Sequence, residues 1–599
     1  MNQINEDHLP SHVQITRSLE RLSQNRSIWG SLPLERKKTY LQTLVSRLSD
    51  LDHRRWGEQS ALIQGYSLES IWGQQSASSE TLINILVMKN TLKALIQTYD
   101  ALIKTQSPPT LTPLASHPPR AHQTQERTAY RVFPRHWKDR LSINGMAKLK
   151  AEVWTTASPK NMYKTPTPQP EVCLVLGAGN QTFLAFGDLI YKMFVEGHLC
   201  VLKHHPLRSF SHPFLCDLFK ELIDDGFFFA LQTDLQTSQW LCDHPLVDSV
   251  HMTGGKANHD AIVWGKTQEE QAENRQRQTP RLSKPMTSEL GCVTPWVVVP
   301  GTSWTQTHLH HQVGHLLTGV IGQASCNCLA PKVLVIDQDW PQADAFIDHI
   351  RDTLGKCRLP PPYYPATAQR YHRFIEHYQD QKQSNGQPVL ELIESEAIPP
   401  HADVDDSLKK PLPWLLIHLD QDSDPYALQN EAFAPVLAIY RMKTANQAAR
   451  FLHQTTSFLN QEVWGTLSCT LIVHPDLEKQ KETQTALNSA LEHLDYGSIA
   501  INAWTSLVYA LESCTWGGSP NEQIDQIESG IGFVRNTLMM NEVDRCILRA
   551  PFINPAQIIP DRDGLFPVKP SIFYGLADVI LKPGLRSIFR LIASLFKKK

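Results

Sequence analysis

Between residues 170 and 340 the chain alternates short apolar runs with amphipathic stretches, and this alternation leaves few folds open. VCLVLGA (172–178) and LCVLKH (199–204) have the look of buried strands, and VDSVHMTGG (247–255) is a strand closing on a turn. Between them, DLIYKMFVEG (188–197) and FLCDLFKELIDDG (214–226) place apolar residues at helical spacing. Strand–helix–strand units in this order imply a parallel, doubly wound sheet, whose ligands bind outside the carboxyl ends of the strands. A second α/β region follows from 290 to 500, with strands expected in TPWVVVPG (294–301), PKVLVID (331–337), PWLLIHL (413–419), PVLAIYRM (435–442) and TLIVHP (470–475).

The flanks read differently. Residues 12 to 104 carry helical periodicity and predict a bundle packed on something larger. Residues 105–127 are rich in Pro, Ser and Thr, which predicts a surface linker or mobile insertion, and residues 129–156 lean toward strands. The polar stretch 265–281 predicts an exposed helix or loop. These features divide the chain into 1–289 (N-terminal helices, arm strands and first sheet), 290–500 (second sheet), 501–545 (a closing segment returning to the first unit) and 546–599 (a tail). In the tail, Leu585, Ile588, Phe589, Ile592, Leu595 and Phe596 share a helical face, and Arg586, Arg590 and Lys597 to Lys599 add positive charge. Such a helix either docks on the protein's own core or lies on an anionic membrane surface.

Composition excludes several classes. Hydrophobic residues at 41% and charged residues at 20% supply a sizeable core, and a net charge of −3 provides no basic field for nucleic acid. The 11 cysteines form no CxxC pair, and the histidines at 308, 310, 311 and 315 lack accompanying Cys or acidic ligands, so no metal is expected. The N-terminus lacks the basic and apolar regions of a signal peptide, and no apolar stretch approaches 18 residues, so a reducing cytoplasm is the expected location.

Several segments at strand ends carry chemistry. The first strand closes on Gly177-Ala178-Gly179-Asn180, the next on Lys203, and the third on Thr253-Gly254-Gly255. SELGCVTPW (288–296) sets Glu289 before a glycine turn, GQASCNCLAPKVLVID (322–337) is a cysteine-bearing loop entering a strand, and NEAFAPVLAIY (430–440) sets Glu431 and Phe433 ahead of another. In this order they resemble the aldehyde dehydrogenase superfamily over about residues 15–540, in a divergent, long form. LVLGAGNQTF is similar to the strand bearing the substrate-facing asparagine, EGHLCVLKHHP to the cofactor-binding lysine segment, and HMTGG to the phosphate-side turn. SELGCVTP is similar to the general-base segment, CNCLAPKVLV to the cysteine loop and EAFAPVL to the glutamate segment. GSIAIN (497–502), WGG (516–518) and SGIG (529–532) resemble the closing segment.

The resemblance implies two Rossmann-like domains, one for the cofactor and one catalytic, bridged by a β-arm, in a dimer or tetramer joined through edge strands. It implies NAD or NADP as cofactor and an aldehyde as substrate. A cysteine thiolate would attack the aldehyde, Asn180 and a backbone N–H would hold the oxyanion, and Glu289 would activate the hydrolytic water. Lys203, Thr253, Gly254, Gly255, Glu431 and Phe433 would form the cofactor site. For the nucleophile, Gly322-Gln323 aligned on the usual Gly-Gln-x-Cys puts Ser325 in the cysteine slot. Anchoring on the following strand selects Cys328, with Cys326 as the alternative.

Three departures bear on this. The second glycine after Thr253-Gly254-Gly255 is missing, with His259 near its place; Cys292 replaces the second glycine of the general-base segment; and Pro206 stands where an acidic residue often selects NAD, leaving NADP open. Rival readings are a CoA-dependent acyl reductase and a non-catalytic, membrane-associated scaffold.

Overall fold

The computed structural model describes residues 9–120, 124–141, 147–158, 163–164, 169–554, 568–584, 586–587 and 591–592. Its strands, in chain order, begin with β1 (Thr112–His117), β2 (Arg127–Phe133) and β3 (Lys150–Thr155). Then come β4 (Val172–Leu176), β5 (Leu199–Lys203), β6 (Phe228–Leu231), β7 (Ser249–Thr253) and β8 (Met286–Glu289). The rest are β9 (Pro295–Val298), β10 (Val333–Asp337), β11 (Leu390–Ile393), β12 (Trp414–Leu419), β13 (Val436–Met442), β14 (Ser468–Ile472), β15 (Ser498–Ile501), β16 (Trp516–Gly517), β17 (Phe533–Val534) and β18 (Val543–Arg549).

β4 to β8 form a parallel sheet in the order β6-β5-β4-β7-β8. The order reverses at β4, and the crevice outside the carboxyl ends of β4 and β7 is the topological switch point where such sheets take ligands. A larger sheet runs β1-β2-β3-β18-β15-β14-β9-β10-β13-β12-β11, parallel from β18 to β12 and antiparallel at both ends. Its central strands are buried along their whole length, which explains their unbroken apolar sequences. Only residues 290–294 separate the end of β8 from the start of β9. The carboxyl end of the small sheet therefore meets the amino end of the large one.

The N-terminal region is helical. Its longest element, Ile71–Thr105, starts on Ser70, whose hydroxyl accepts from the Gly73 amide. This helix is buried on several sides because the helices Leu34–Asp50, His53–Ile63 and Pro570–Leu581 all pack on it.

The structure corrects three expectations. The proline-rich stretch 105–127 contains β1, which pairs antiparallel with β2. An exposed edge strand tolerates Pro113 because its outer face needs no amide donor. Second, the arm strands join the large sheet through β3 and β18, so they do not belong with the small sheet in a 1–289 unit. Third, the closing segment does not end at 545. It returns along β8 of the small sheet, in line with expectation, where Ser288 N donates to Ile531 O and Leu290 N to Ser529 O, but the chain then runs across that boundary into β18 of the large sheet. The 265–281 stretch holds the exposed helix Gln268–Gln276. Most of 585–599, where a basic amphipathic helix is expected, lies outside the described residues.

Candidate active site

The helix Gln306–Ile321 ends at Gly322, and the next three residues, Gln323, Ala324 and Ser325, all have φ between 53° and 60°. Three consecutive left-handed residues that are not glycine are costly and must be held in place. Ser325 Oγ donates to Val320 O, and the buried Lys332 ammonium donates to Ser325 O at 2.6 Å. The turn delivers Asn327, whose side-chain oxygen accepts from Leu329 N at 2.9 Å, and Cys328, whose carbonyl accepts from Thr294 Oγ1 at 2.8 Å.

Cys328 Sγ lies 3.5 Å from Glu289 Oε1, with the thiol as donor. Burial, and the carboxyl groups of Glu289 and Glu431, push this thiol well above its ordinary value. Cys326 is different. Its side chain is fully buried and contacts Phe433 O at 3.4 Å and Thr367 Oγ1 at 3.5 Å, away from Glu289. Ser325, in the slot given by the Gly-Gln-x-Cys alignment, points back into its own helix.

Glu289 closes β8 and is 4% exposed. Burial first, and then the charge of Asp188, push its carboxyl up to about 8. Asp188 is itself buried and accepts from Thr253 Oγ1 at 2.9 Å. Thr253 and Glu289 are register partners on adjacent strands, so the phosphate-side turn and the general-base segment meet here.

A cavity of about 390 Å³ opens onto this pair. Cys328, Asn327 and Glu289 line it, with Phe183, Trp504, Tyr509 and Trp516 among its aromatic walls and Glu80 and Arg358 among its charged groups. Asn180 is not part of this lining, although its neighbour Gln181 is. Asn180 is buried, and its carbonyl oxygen accepts from the Arg208 guanidinium.

Of the expected cofactor residues, Lys203 and Thr253 end β5 and β7, the two strands that flank β4. Lys203 ends β5 half-buried; burial lowers its pKa, and its ammonium forms no ion pair among the described residues. Gly254 and Gly255 lead into the helix Lys256–Val263, whose N-cap, Gly255, has no side-chain cap and open space where a Cβ would stand. The open amide end and unpaired cation suit a dinucleotide's phosphates and ribose hydroxyls. His259 sits inside that helix, buried against Asp260. Glu431 approaches Gly291 so closely that a Cβ there would lie 2.0 Å from its Oε2, and Cys292 N donates to Oε1 at 3.3 Å. Burial pushes Glu431 up to about 7, against the pull of Lys332. Phe433 has φ 44° and packs edge-on against Tyr364, with centroids 4.9 Å apart.

The sequence reading missed Asp188, Arg208 and Glu80. His205 lies over Gly179, 2.6 Å from where a Cβ would be, so a side chain there would displace the imidazole ring. The available signal was faint: single polar residues in otherwise apolar helices, and a basic residue soon after the Lys203 strand. Among the described residues, no cluster of three or more His, Cys, Asp or Glu side chains could hold a metal ion, and no helix is long and apolar enough to cross a membrane.

Residues 140–519, more than half of the chain, match the family model described as the aldehyde dehydrogenase family. A protein described as a probable coniferyl aldehyde dehydrogenase of Caulobacter vibrioides is 25% identical over 173 residues, 28% of this chain and 33% of that protein. The match thus spans about a third of the relative's length. Aldehyde dehydrogenase 21 of Physcomitrella patens, solved in complex with the reaction product succinate, shares the fold with a TM-score of 0.57 at 13% identity, covering 90% of each chain. NADP-dependent glyceraldehyde-3-phosphate dehydrogenase of Bacillus halodurans C-125, solved with NADP, gives a TM-score of 0.53 at 16% identity, covering 90% of this chain and 92% of that one.

Proposed function

Because the chain belongs to the aldehyde dehydrogenase family, we propose that it oxidises an aldehyde to a carboxylic acid with NAD or NADP, using Cys328, Glu289 and Asn180. The observation that carries this reading is the 3.5 Å contact between the Cys328 thiol and the Glu289 carboxyl group at the wall of one cavity. In carboxylate form, Glu289 takes the thiol proton as Sγ attacks the aldehyde carbon. The oxyanion of the thiohemiacetal is held by the Cys328 backbone N–H and the Asn180 side-chain amide. NAD(P), when bound, supplies the hydride acceptor; Lys203, Glu431 and the turn Thr253-Gly254-Gly255 are the residues that would hold it, with Phe433 beside its reactive ring. Glu289 then releases the thiol proton to solvent, and as a carboxylate it deprotonates the water that attacks the remaining thioester, with the Cys328 thiolate as leaving group. A buried base facing the thiol favours hydrolysis over transfer to CoA, which needs no water-activating base. NAD(P)H formation with a panel of aldehydes, with and without CoA, tests the reading, and turnover that requires CoA overturns it.

The reading extends to setting. Eleven cysteines with no disulfide among them suit the cytoplasm. The exposed edge strand β1 suits pairing between copies of the chain, which light scattering would register as a dimer or tetramer. The basic and apolar terminal sequence 585–599, with its helical spacing, suits peripheral contact with anionic lipid. Full-length protein that stays in solution beside anionic vesicles at low salt refutes that contact.

A further inference from the structure

Two buried ions of opposite charge, Glu80 and Arg208, lie outside the proposed chemistry, yet each grips one side of it. Glu80 projects from the Ile71–Thr105 helix and is 6% exposed; Arg208 follows β5 and is 3% exposed. They are keyed together through Thr182, whose hydroxyl donates to Glu80 Oε2 at 3.5 Å and accepts from Arg208 Nη1 at 3.1 Å. A second link runs through the helix His53–Ile63 and its C-cap Gln64. Arg208 Nη1 donates to Ser60 Oγ at 2.8 Å, Gln64 Nε2 donates to the same hydroxyl at 3.4 Å, and it also lies 3.4 Å from Glu80 Oε1.

From this paired centre the contacts diverge to the two halves of the site. Arg208 donates to Gly179 O at 3.0 Å and to Asn180 O, which fixes the backbone carrying the Asn180 amide. Glu80 Oε1 accepts from Gln323 Nε2 at 3.1 Å, and Gln323 Oε1 accepts from Gln181. Gln323 is the first of the three left-handed residues that lead to Cys328. Short-range contacts hold Ser325, but Gln323 is tied to the rest of the molecule through Glu80 and Gln181.

We propose that Glu80 and Arg208 are positioning residues that set the spacing between the Asn180 amide and the Cys328 thiol, so that the N-terminal helical layer aligns the reacting groups. The inference rests on the reading of Cys328 as nucleophile. Neither residue touches the thiol; both act through Asn180 and Gln323. Fixed geometry matters here because an error of 1 Å in a reacting group costs about 10²-fold in rate. Glu80 also lines the cavity, so its loss would be felt from the substrate side as well.

The experiment uses the full chain and two readouts. One is steady-state NAD(P)H formation; the other is the rate at which iodoacetamide alkylates Cys328, read site by site by mass spectrometry. The second needs no turnover and so separates this proposal from the proposed reaction. Glu80→Ala and Gln323→Ala should each lower kcat by roughly 10-fold to 10²-fold and change the Cys328 alkylation rate, with NAD(P) affinity unchanged. Glu80→Gln, which keeps an acceptor for Gln323, should recover most of both. Arg208→Met should lower kcat with little change in alkylation, because it loosens Asn180 and not the thiol loop. If Glu80→Ala does not fold, Gln323→Ala, altered at the cavity wall, carries the test alone. Folded variants with wild-type kcat and alkylation rate overturn the proposal. So does a Glu80→Gln variant as impaired as Glu80→Ala.

Discussion

Cys328 Sγ and Glu289 Oε1 stand 3.5 Å apart, yet they arrive from different sheets: Glu289 from the carboxyl end of β8, Cys328 from the loop that enters β10. Glu289 raises the proton affinity of the Cys328 thiol, whereas the thiol's hydrogen bond pulls the carboxyl down, against burial and Asp188, which together push it up to about 8.

Cys328→Ala should abolish turnover and leave cofactor binding intact, since no thiohemiacetal forms. Cys326→Ala should retain activity, because that side chain is enclosed between Phe433 and Thr367. Measured rates in the reverse pattern would move the nucleophile to Cys326.

Glu289→Gln removes the base for both the thiol proton and the hydrolytic water, so the NAD(P)H burst and the steady state should both slow, by about 10²-fold or more. Stopped-flow fluorescence would detect it. An intact burst before a slow steady state would confine Glu289 to deacylation.

The pH dependence has a definite sign. Glu289 works as a base only when ionised, so kcat should rise with pH through about 8 and level above it. Asp188→Asn removes the neighbouring negative charge and should move this rise to lower pH. Stability runs the other way. The folded pKa lies above the unfolded one, so this group's contribution falls as pH climbs from about 4.5 to 8. Denaturation midpoints for Glu289→Gln against wild type should diverge over that window, with the variant gaining.

Lys203→Ala should weaken NAD(P) binding by about 1–3 kcal/mol, the usual range for a lost charge-assisted hydrogen bond. Calorimetric titration checks it, and an unchanged Kd would remove Lys203 from the site.

Lys89 is buried on the long helix and donates to Ile580 O and, at 2.6 Å, to Leu581 O, closing the last turn of the Pro570–Leu581 helix. Lys89→Met should cost about 1.5–3 kcal/mol and expose that helix to limited proteolysis, with kcat unchanged at low temperature.

What the sequence disclosed follows a physical pattern. Strands buried on both faces write themselves as apolar runs, so VCLVLGA, PKVLVID and PWLLIHL were readable, and the turns that close or precede them were readable beside them. β1 was not, because an exposed edge strand has no apolar face to reveal it, and its proline argued for a loop. The sheet to which the arm belongs was also hidden, since strand partners hundreds of residues apart leave no local trace. Glu80 and Arg208 were missed for a related reason. Their meaning lies in Thr182 and Gln323, residues that only the folded chain brings to them.

The pairing of β3 with β18 has a consequence for how the chain is made. Thr155 lies opposite Val543, roughly 390 residues later. At about 5–20 residues per second, the ribosome emits the partner strand roughly 20 to 80 seconds after the arm. Throughout that interval β3 has β2 on one side and an unfilled row of amides and carbonyls on the other. The nascent protein therefore carries an open sheet edge for most of its synthesis. Slower translation or a missing C-terminal strand should convert that edge into a site of aggregation or chaperone capture.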